Sequence, residues 1–252
     1  MTLASPARMV WAACRGGTVR AVATATVTKS PRSTRSTIAL KLLMAVTGLV
    51  FIGYVLLHMY GNLKAFSGQE AFDSYAEHLR TIGEPLLPYA GLLWIIRVVL
   101  LVSLAVHVYA AYTLWARAGK ARTTKYTVTK RVNSTWSSKT MRWGGTALLL
   151  FIVFHILHFT LRVVTPGSNS DSPYERLVGS FQVWWVAAIY LVAMAALGMH
   201  LRHGTWSAAQ TLGLTNSAGA RRNANPLGYL LAVVIAGGYS LIPVFVLAGV
   251  IS

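Results

Sequence analysis

Apolar residues in this chain fall in long blocks broken by short polar connections. Five blocks, near 38–63, 92–117, 144–165, 182–203 and 227–251, are long enough to cross a hydrocarbon core, which takes roughly 20 helical residues. The third and fourth carry no interior charge. The first and second carry Lys41 and Arg97 near their ends, where long side chains reach the interface. Gly237, Gly238 and Pro243 in the fifth are tolerated better in lipid than in water. The pattern predicts an all-α membrane protein, a bundle of five transmembrane helices over 37–252. Between the first two spans, "GQEAFDSYAEHLRTIG" (68–83) places Phe72, Tyr75 and Leu79 at i, i+3 and i+7. That is one apolar face of a short helix lying on the membrane surface, with His78 on its polar side.

Charge orients the bundle. The chain has 252 residues, with 23 Lys+Arg against 6 Asp+Glu and a formal net charge of +17. All six acids lie in the first and third connections. The segment from Arg117 to Arg142 holds eight bases and no acid, and the tail through Arg35 holds six bases and no acid. The excess of Lys and Arg predicts a cytoplasmic N-terminus, cytoplasmic second and fourth connections, and a C-terminus outside. This sign pattern accounts for the net charge without nucleic-acid binding. Residues 1–36 read as a basic cytoplasmic tail able to meet anionic headgroups. Their Arg, Ser, Thr and Ala also match an organellar transit peptide, but they lack the apolar core of a secretory signal. Cys14, the one cysteine, lies here and forbids an internal disulfide or an own-chain four-cysteine cluster.

The blocks contain residues that lipid cannot satisfy. His58 lies on the first span, His107 on the second, His155 and His158 on the third and His200 on the fourth; His203 sits at the cytoplasmic end of the fourth. A lone histidine at membrane depth can bond a neighbouring backbone or hydroxyl, but one on each of four consecutive spans points to a common ligand. Depth pairs them. At about 1.5 Å per residue, His107 lies ~20 Å and His200 ~27 Å from the outer starts of their spans, toward the cytoplasmic face. His58 lies ~30 Å, and His155 and His158 ~17 and ~21 Å, from the inner starts of theirs. The predicted pairs are His107 with His200, and His58 with His155 or His158. Facing imidazoles suit a six-coordinate haem b, whose apolar faces fit a bundle core and whose filled coordination favours electron transfer.

These residues carry a resemblance. "LLMAVTGLVFIGYVLLHMYGNLKAFSGQEAFDSYAEHL", "LAVHVYAAYTLW", "RWGGTALLLFIVFHILHF" and "ALGMHLRHGTWSAAQTLGL" together resemble the single-chain, five-helix cytochrome b anchor of succinate dehydrogenase and fumarate reductase, over about 36–250. The resemblance implies one or two haem b groups with His58, His107, His155 and His200 as axial ligands. On the third span it points to His155, although depth slightly prefers His158. It also implies a flavoprotein subunit with FAD, an iron–sulfur subunit, quinone as substrate, and the bacterial cytoplasmic membrane as location. His158 and His203 are additional nitrogen ligands beyond those four. They leave open a Rieske-type [2Fe–2S] cluster held by a histidine pair with thiolates from a partner. Arg142, Trp143, Trp206 and Ser207, at the cytoplasmic ends, are candidates for the quinone site, although each also suits ordinary interfacial anchoring or topology. Two other readings are the cytochrome b subunit of a different membrane oxidoreductase and a histidine-relay proton channel or transporter. The channel predicts acids beside the histidines, and no acid lies in the five spans.

Overall fold

A computed structural model describes residues 36–120 and 136–252. The tail through Arg35, with Cys14, and most of the basic second connection lie outside the described residues.

Ser36 opens α1 (Thr37–Leu63). Its hydroxyl accepts the Ala39 amide at 3.1 Å, satisfying a first-turn N–H that has no partner in the helix. A 3₁₀ turn at Lys64–Ser67 then leads to Gly68, whose φ of +87° suits glycine alone without strain. α2 (Gln69–Thr81) is the short amphipathic helix expected from the spacing of Phe72, Tyr75 and Leu79. It is followed by α3 (Gly91–Lys120), α4 (Trp136–His155), α5 (Pro173–Gln182), α6 (Trp184–Thr211) and α7 (Ala218–Leu247). Five helices, α1, α3, α4, α6 and α7, are long and apolar enough to cross a membrane, and no strand occurs among the described residues. The protein is an all-α, multi-pass membrane protein. Its outward face fits a hydrocarbon solvent: Leu57 and Val192 are each 71% exposed and Val233 70%. Such a belt in water would be an aggregation surface.

Helix α6 holds the bundle together, packing on α7, α4 and α1, while α1 also packs on α3 and α7. Small residues set the closest approaches, as expected where lipid gives no hydrophobic drive between helices. A Cβ added at Gly228 on α7 would lie 2.8 Å from the Arg202 carbonyl oxygen on α6. One added at Gly61 on α1 would lie 2.9 Å from the Tyr75 ring on α2.

The two ends of the bundle differ. At one, here the cap end, α2 and α5 lie across the helix termini. Asp73 on α2 accepts the Ser172 hydroxyl and, at 3.0 Å, the Tyr174 amide. The Tyr174 hydroxyl donates to the Ser252 carbonyl at 3.2 Å, which ties the C-terminus to the same end. Beneath lies a buried cluster of Leu177, Val178 and Phe181 from α5 with Val186, Tyr190, Ile242 and Val246. At the far end, Arg117 donates to Thr37 at 3.2 Å, joining the end of α3 to the start of α1.

Three differences from the sequence reading have local causes. The third span was expected to run to 165, but α4 tightens no further than His155 and widens into a π-turn at Ile156–Thr160. The Leu161 amide there reaches the Ile156 carbonyl at 2.8 Å, five residues back. Arg162, with φ +57°, then leaves the helix and donates to the Asn169 carbonyl at 3.0 Å and to Asp171 at 3.2 Å. The fifth helix starts at Ala218, well before 227, because Ser217 caps it by accepting the Ala220 amide at 3.1 Å. Hydropathy registers only the part of that helix that meets lipid. Helix α5 was not expected at all. Its signal is "SPYE": Ser172 caps, Pro173 starts the helix and Glu175 stands at the capping-box position.

Candidate metal centre

Four spans deliver histidines to two levels. Near the cap end, His58 on α1 faces His155 on α4 with ring centroids 5.9 Å apart and planes inclined at 75°. Toward the far end, His107 on α3 faces His200 on α6 at 6.3 Å and 52°. Two imidazoles on opposite sides of one metal ion, each at a metal–nitrogen distance of about 2.0–2.1 Å, hold their centroids about 6 Å apart; neighbouring positions on one tetrahedral ion bring them to about 5 Å. Both measured separations lie nearer the opposed arrangement. No group of three or more His, Cys, Asp or Glu able to hold a metal occurs among the described residues, so each pair stands as a two-ligand site.

The distance between levels can be read on three helices. An added Cβ at Gly48 would sit 3.8 Å from His107 Cε1, and His58 lies ten residues further along α1. An added Cβ at Gly145 would sit 3.4 Å from His200 Cε1, and His155 lies ten residues further along α4. On α6, Tyr190 touches His155 and His200 follows ten residues later. Ten helical residues advance about 15 Å.

Hydroxyl partners set the imidazole protons. Thr47 Oγ1 lies 2.9 Å from His107 Nδ1 and 2.7 Å from the Leu43 carbonyl. A carbonyl only accepts, so the Thr47 proton is committed to Leu43 and Oγ1 accepts from His107 Nδ1–H. His107 Nε2 is thereby left with its lone pair. His155 Nδ1 lies 3.1 Å from the Tyr190 hydroxyl, and His158 Nδ1 lies 3.0 Å from the same oxygen. His158 Nε2 is also engaged, 2.9 Å from Ser180 Oγ. His158 is therefore a buried histidine with both nitrogens partnered, whereas His155 keeps Nε2 free of hydrogen bonds.

The remaining members of the pairs lack such anchors. His58 stacks on Tyr54 at 5.3 Å and 12°. His200 Nδ1 is buried without a hydrogen-bond partner. An unmet buried nitrogen costs about 1–3 kcal/mol, and Gly145 leaves space along that edge of the ring. An orphaned nitrogen, a glycine cradle and opposed imidazoles all fit a bound metal group at this level. At the cap-end level the fit rests on His155 Nε2 and the facing His58.

His203 is half-buried and joins neither pair. Arg142 and Trp143 on α4 cluster with Trp115 on α3: the guanidinium lies 5.4 Å from the Trp115 ring, and the two indoles meet edge-on at 6.0 Å. Trp206 and Ser207 lie on α6 just past His200 and are half-buried. No hydrogen bond or ring contact joins these two sets. Thr47, Gly48, Gly145, Ser180 and Tyr190 are the site residues that sequence reasoning missed. The recurrent ten-residue interval between a glycine and a histidine is the one signal that could have drawn attention to Gly48 and Gly145.

The model of one protein family, the succinate dehydrogenase/fumarate reductase transmembrane subunit, matches residues 116–238. Over that stretch the chain is similar to this family's membrane subunit. The match includes His155, His158, His200 and His203, together with Arg142, Trp143, Trp206 and Ser207. His58 and His107 lie outside it, so their place beside the family's matched helices rests on the ring distances above. No curated protein and no solved structure matches the chain.

Proposed function

We propose that this chain is the electron-carrying membrane anchor of a succinate:quinone oxidoreductase, between an iron–sulfur subunit with its flavoprotein and the membrane quinone. The observation that carries the reading is the assembly of four histidines from four helices into two opposed pairs about 15 Å apart. His107 with His200 would hold one haem b, and His58 with His155 a second. When bound, such groups supply one-electron chemistry with no open coordination position.

The chain's own residues do the rest. Thr47 keeps the His107 proton on Nδ1. Apolar helices exclude water from both levels. The basic second connection and tail orient the far end to the cytoplasm of a bacterial cell, where charged redox partners would dock. The His107/His200 pair is then the inner one. Trp206 and Ser207, or Arg142 and Trp143, stand at that same end. Ser207 offers a hydroxyl donor for a quinone carbonyl, and the indoles offer flat apolar walls. Opposed rings favour haem over a Rieske-type cluster, whose two histidines share one iron and whose thiolates would have to come from outside the described residues.

The test is a dithionite-reduced minus oxidised visible spectrum of the purified complex. A b-type α-band is expected; His107→Ala or His200→Ala should remove one component and His58→Ala or His155→Ala the other. No such band, with acid-labile sulfide above the iron–sulfur subunit's content, would overturn the haem assignment in favour of the cluster.

A further inference from the structure

The hydroxyl of Tyr190 meets two imidazoles at once, and it has one proton. Its neighbours His155 Nδ1 and His158 Nδ1 lie at 3.1 and 3.0 Å, and His158 continues through Nε2 to Ser180 Oγ at 2.9 Å. Each neutral imidazole carries one N–H. Two proton arrangements fill all three hydrogen bonds and also use the buried Tyr190 proton, which would be stranded if both imidazoles donated to its oxygen. In one, His155 Nδ1–H donates to Tyr190, Tyr190 donates to His158 Nδ1, and His158 Nε2–H donates to Ser180. In the other every bond is reversed, and His155 carries its proton on Nε2. Only the first leaves a lone pair on His155 Nε2 to face His58.

We propose that Tyr190, backed by His158 and Ser180, is a positioning residue that holds His155 as the Nδ1–H tautomer and strengthens it as an electron donor to the metal group at the cap-end level. This rests on the haem reading above. The three residues behind His155 are buried: His158 is 2% exposed, Ser180 1% and Tyr190 7%. Water therefore does not compete for these protons, and in a low-dielectric site each bond polarises the next. A histidine ligand that donates its second N–H to an acceptor becomes the more basic ligand, which favours the oxidised metal. The same logic applies at the other level through Thr47, but there the acceptor is a single hydroxyl tied to its own helix backbone. The arrangement also explains His158: its two partners make it a relay between Tyr190 and Ser180 rather than a ligand.

The experiment is a spectroscopic redox titration of the intact complex carrying Tyr190→Phe, which keeps the ring and removes the hydroxyl. The reduction equilibrium of the cap-end group should shift about tenfold toward the reduced form, or about 59 mV for one electron. The far-end group should not move. Ser180→Ala should shift the same group in the same direction by less, and it decides the question if Tyr190→Phe does not assemble. Selective loss of the cap-end group in either variant also supports the proposal, because His155 has then lost its ligating form. Unchanged potentials in both variants would overturn it and leave Tyr190 a packing residue. A wild-type complex with no bis-imidazole haem signal at all would instead sink the haem reading, so the two failures are distinguishable.

Discussion

Thr47 gives its one proton to Leu43 and can only accept from His107, and that single bond determines which nitrogen His107 presents to His200. Gly145 does the complementary work of leaving space. An alanine Cβ there would stand 3.4 Å from His200 Cε1, close but tolerable, whereas a bulkier side chain would start from that same contact and crowd the ring. Gly145→Ala should keep the far-end spectral component, and Gly145→Leu should lose it while the cap-end component survives. Equal spectra in the two variants would show that the glycine is not a cradle. The histidines are legible in the sequence because an ionisable group at membrane depth is anomalous. Thr47 and Tyr190 are not, since a hydroxyl on a membrane helix is ordinary and commonly bonds its own backbone, as Thr47 also does. The choice between His155 and His158 turns on the second nitrogen of each ring, and only the position of Ser180 on α5 decides that.

The helices approach one another through glycine where side chains would hold them apart. Gly228→Ala would push a methyl group against the Arg202 carbonyl oxygen, a backbone atom that cannot swing away. The cost expected is about 1–3 kcal/mol of overpacking. Gly53→Ala, on an α1 face with nothing within 4 Å, should instead gain roughly 0.5–1 kcal/mol from restricting the unfolded chain and improving helix propensity. Thermal denaturation in detergent should therefore show shifts of opposite sign, and shifts of the same sign would contradict the packing argument. The first two spans, α1 and α3, begin and end close to the edges of their apolar blocks, because a hydrocarbon solvent imposes length and apolarity together. Helix α7 does not: its first turns are polar, and a hydropathy block cannot see helix that continues into water. Helix α5 was missed although "SPYE" is a readable start, because attention to apolar length passes over a ten-residue helix whose apolar face is spent on the cap.

For the molecule as a whole, the charge asymmetry predicts which end faces the cytoplasm. Leu86, 93% exposed, lies in the connection between α2 and α3, and Leu214, 65% exposed, lies between α6 and α7. In a Cys14→Ser background, Leu86→Cys should react with a membrane-impermeant thiol reagent from the outer face and Leu214→Cys only from the cytoplasmic face. The reverse labelling would invert the bundle and put the His58/His155 pair next to the soluble partners. The bundle architecture and the two levels were visible in the hydropathy blocks and the histidine positions. The closeness of the opposed rings was not, because helix rotation and tilt are set by contacts such as Gly228 on Arg202 rather than by any local pattern. The ten-residue interval shared by α1, α4 and α6 has a consequence for how such a chain can change. Outward-facing residues between the markers, such as Leu57, Leu150 and Val192, can drift among lipid-soluble types without changing the interval. One inserted residue on one helix would raise its histidine by about 1.5 Å and swing it through about 100°. Spacing between the levels is thus inherited in whole-residue steps, and it can be altered only by matching insertions on several helices at once.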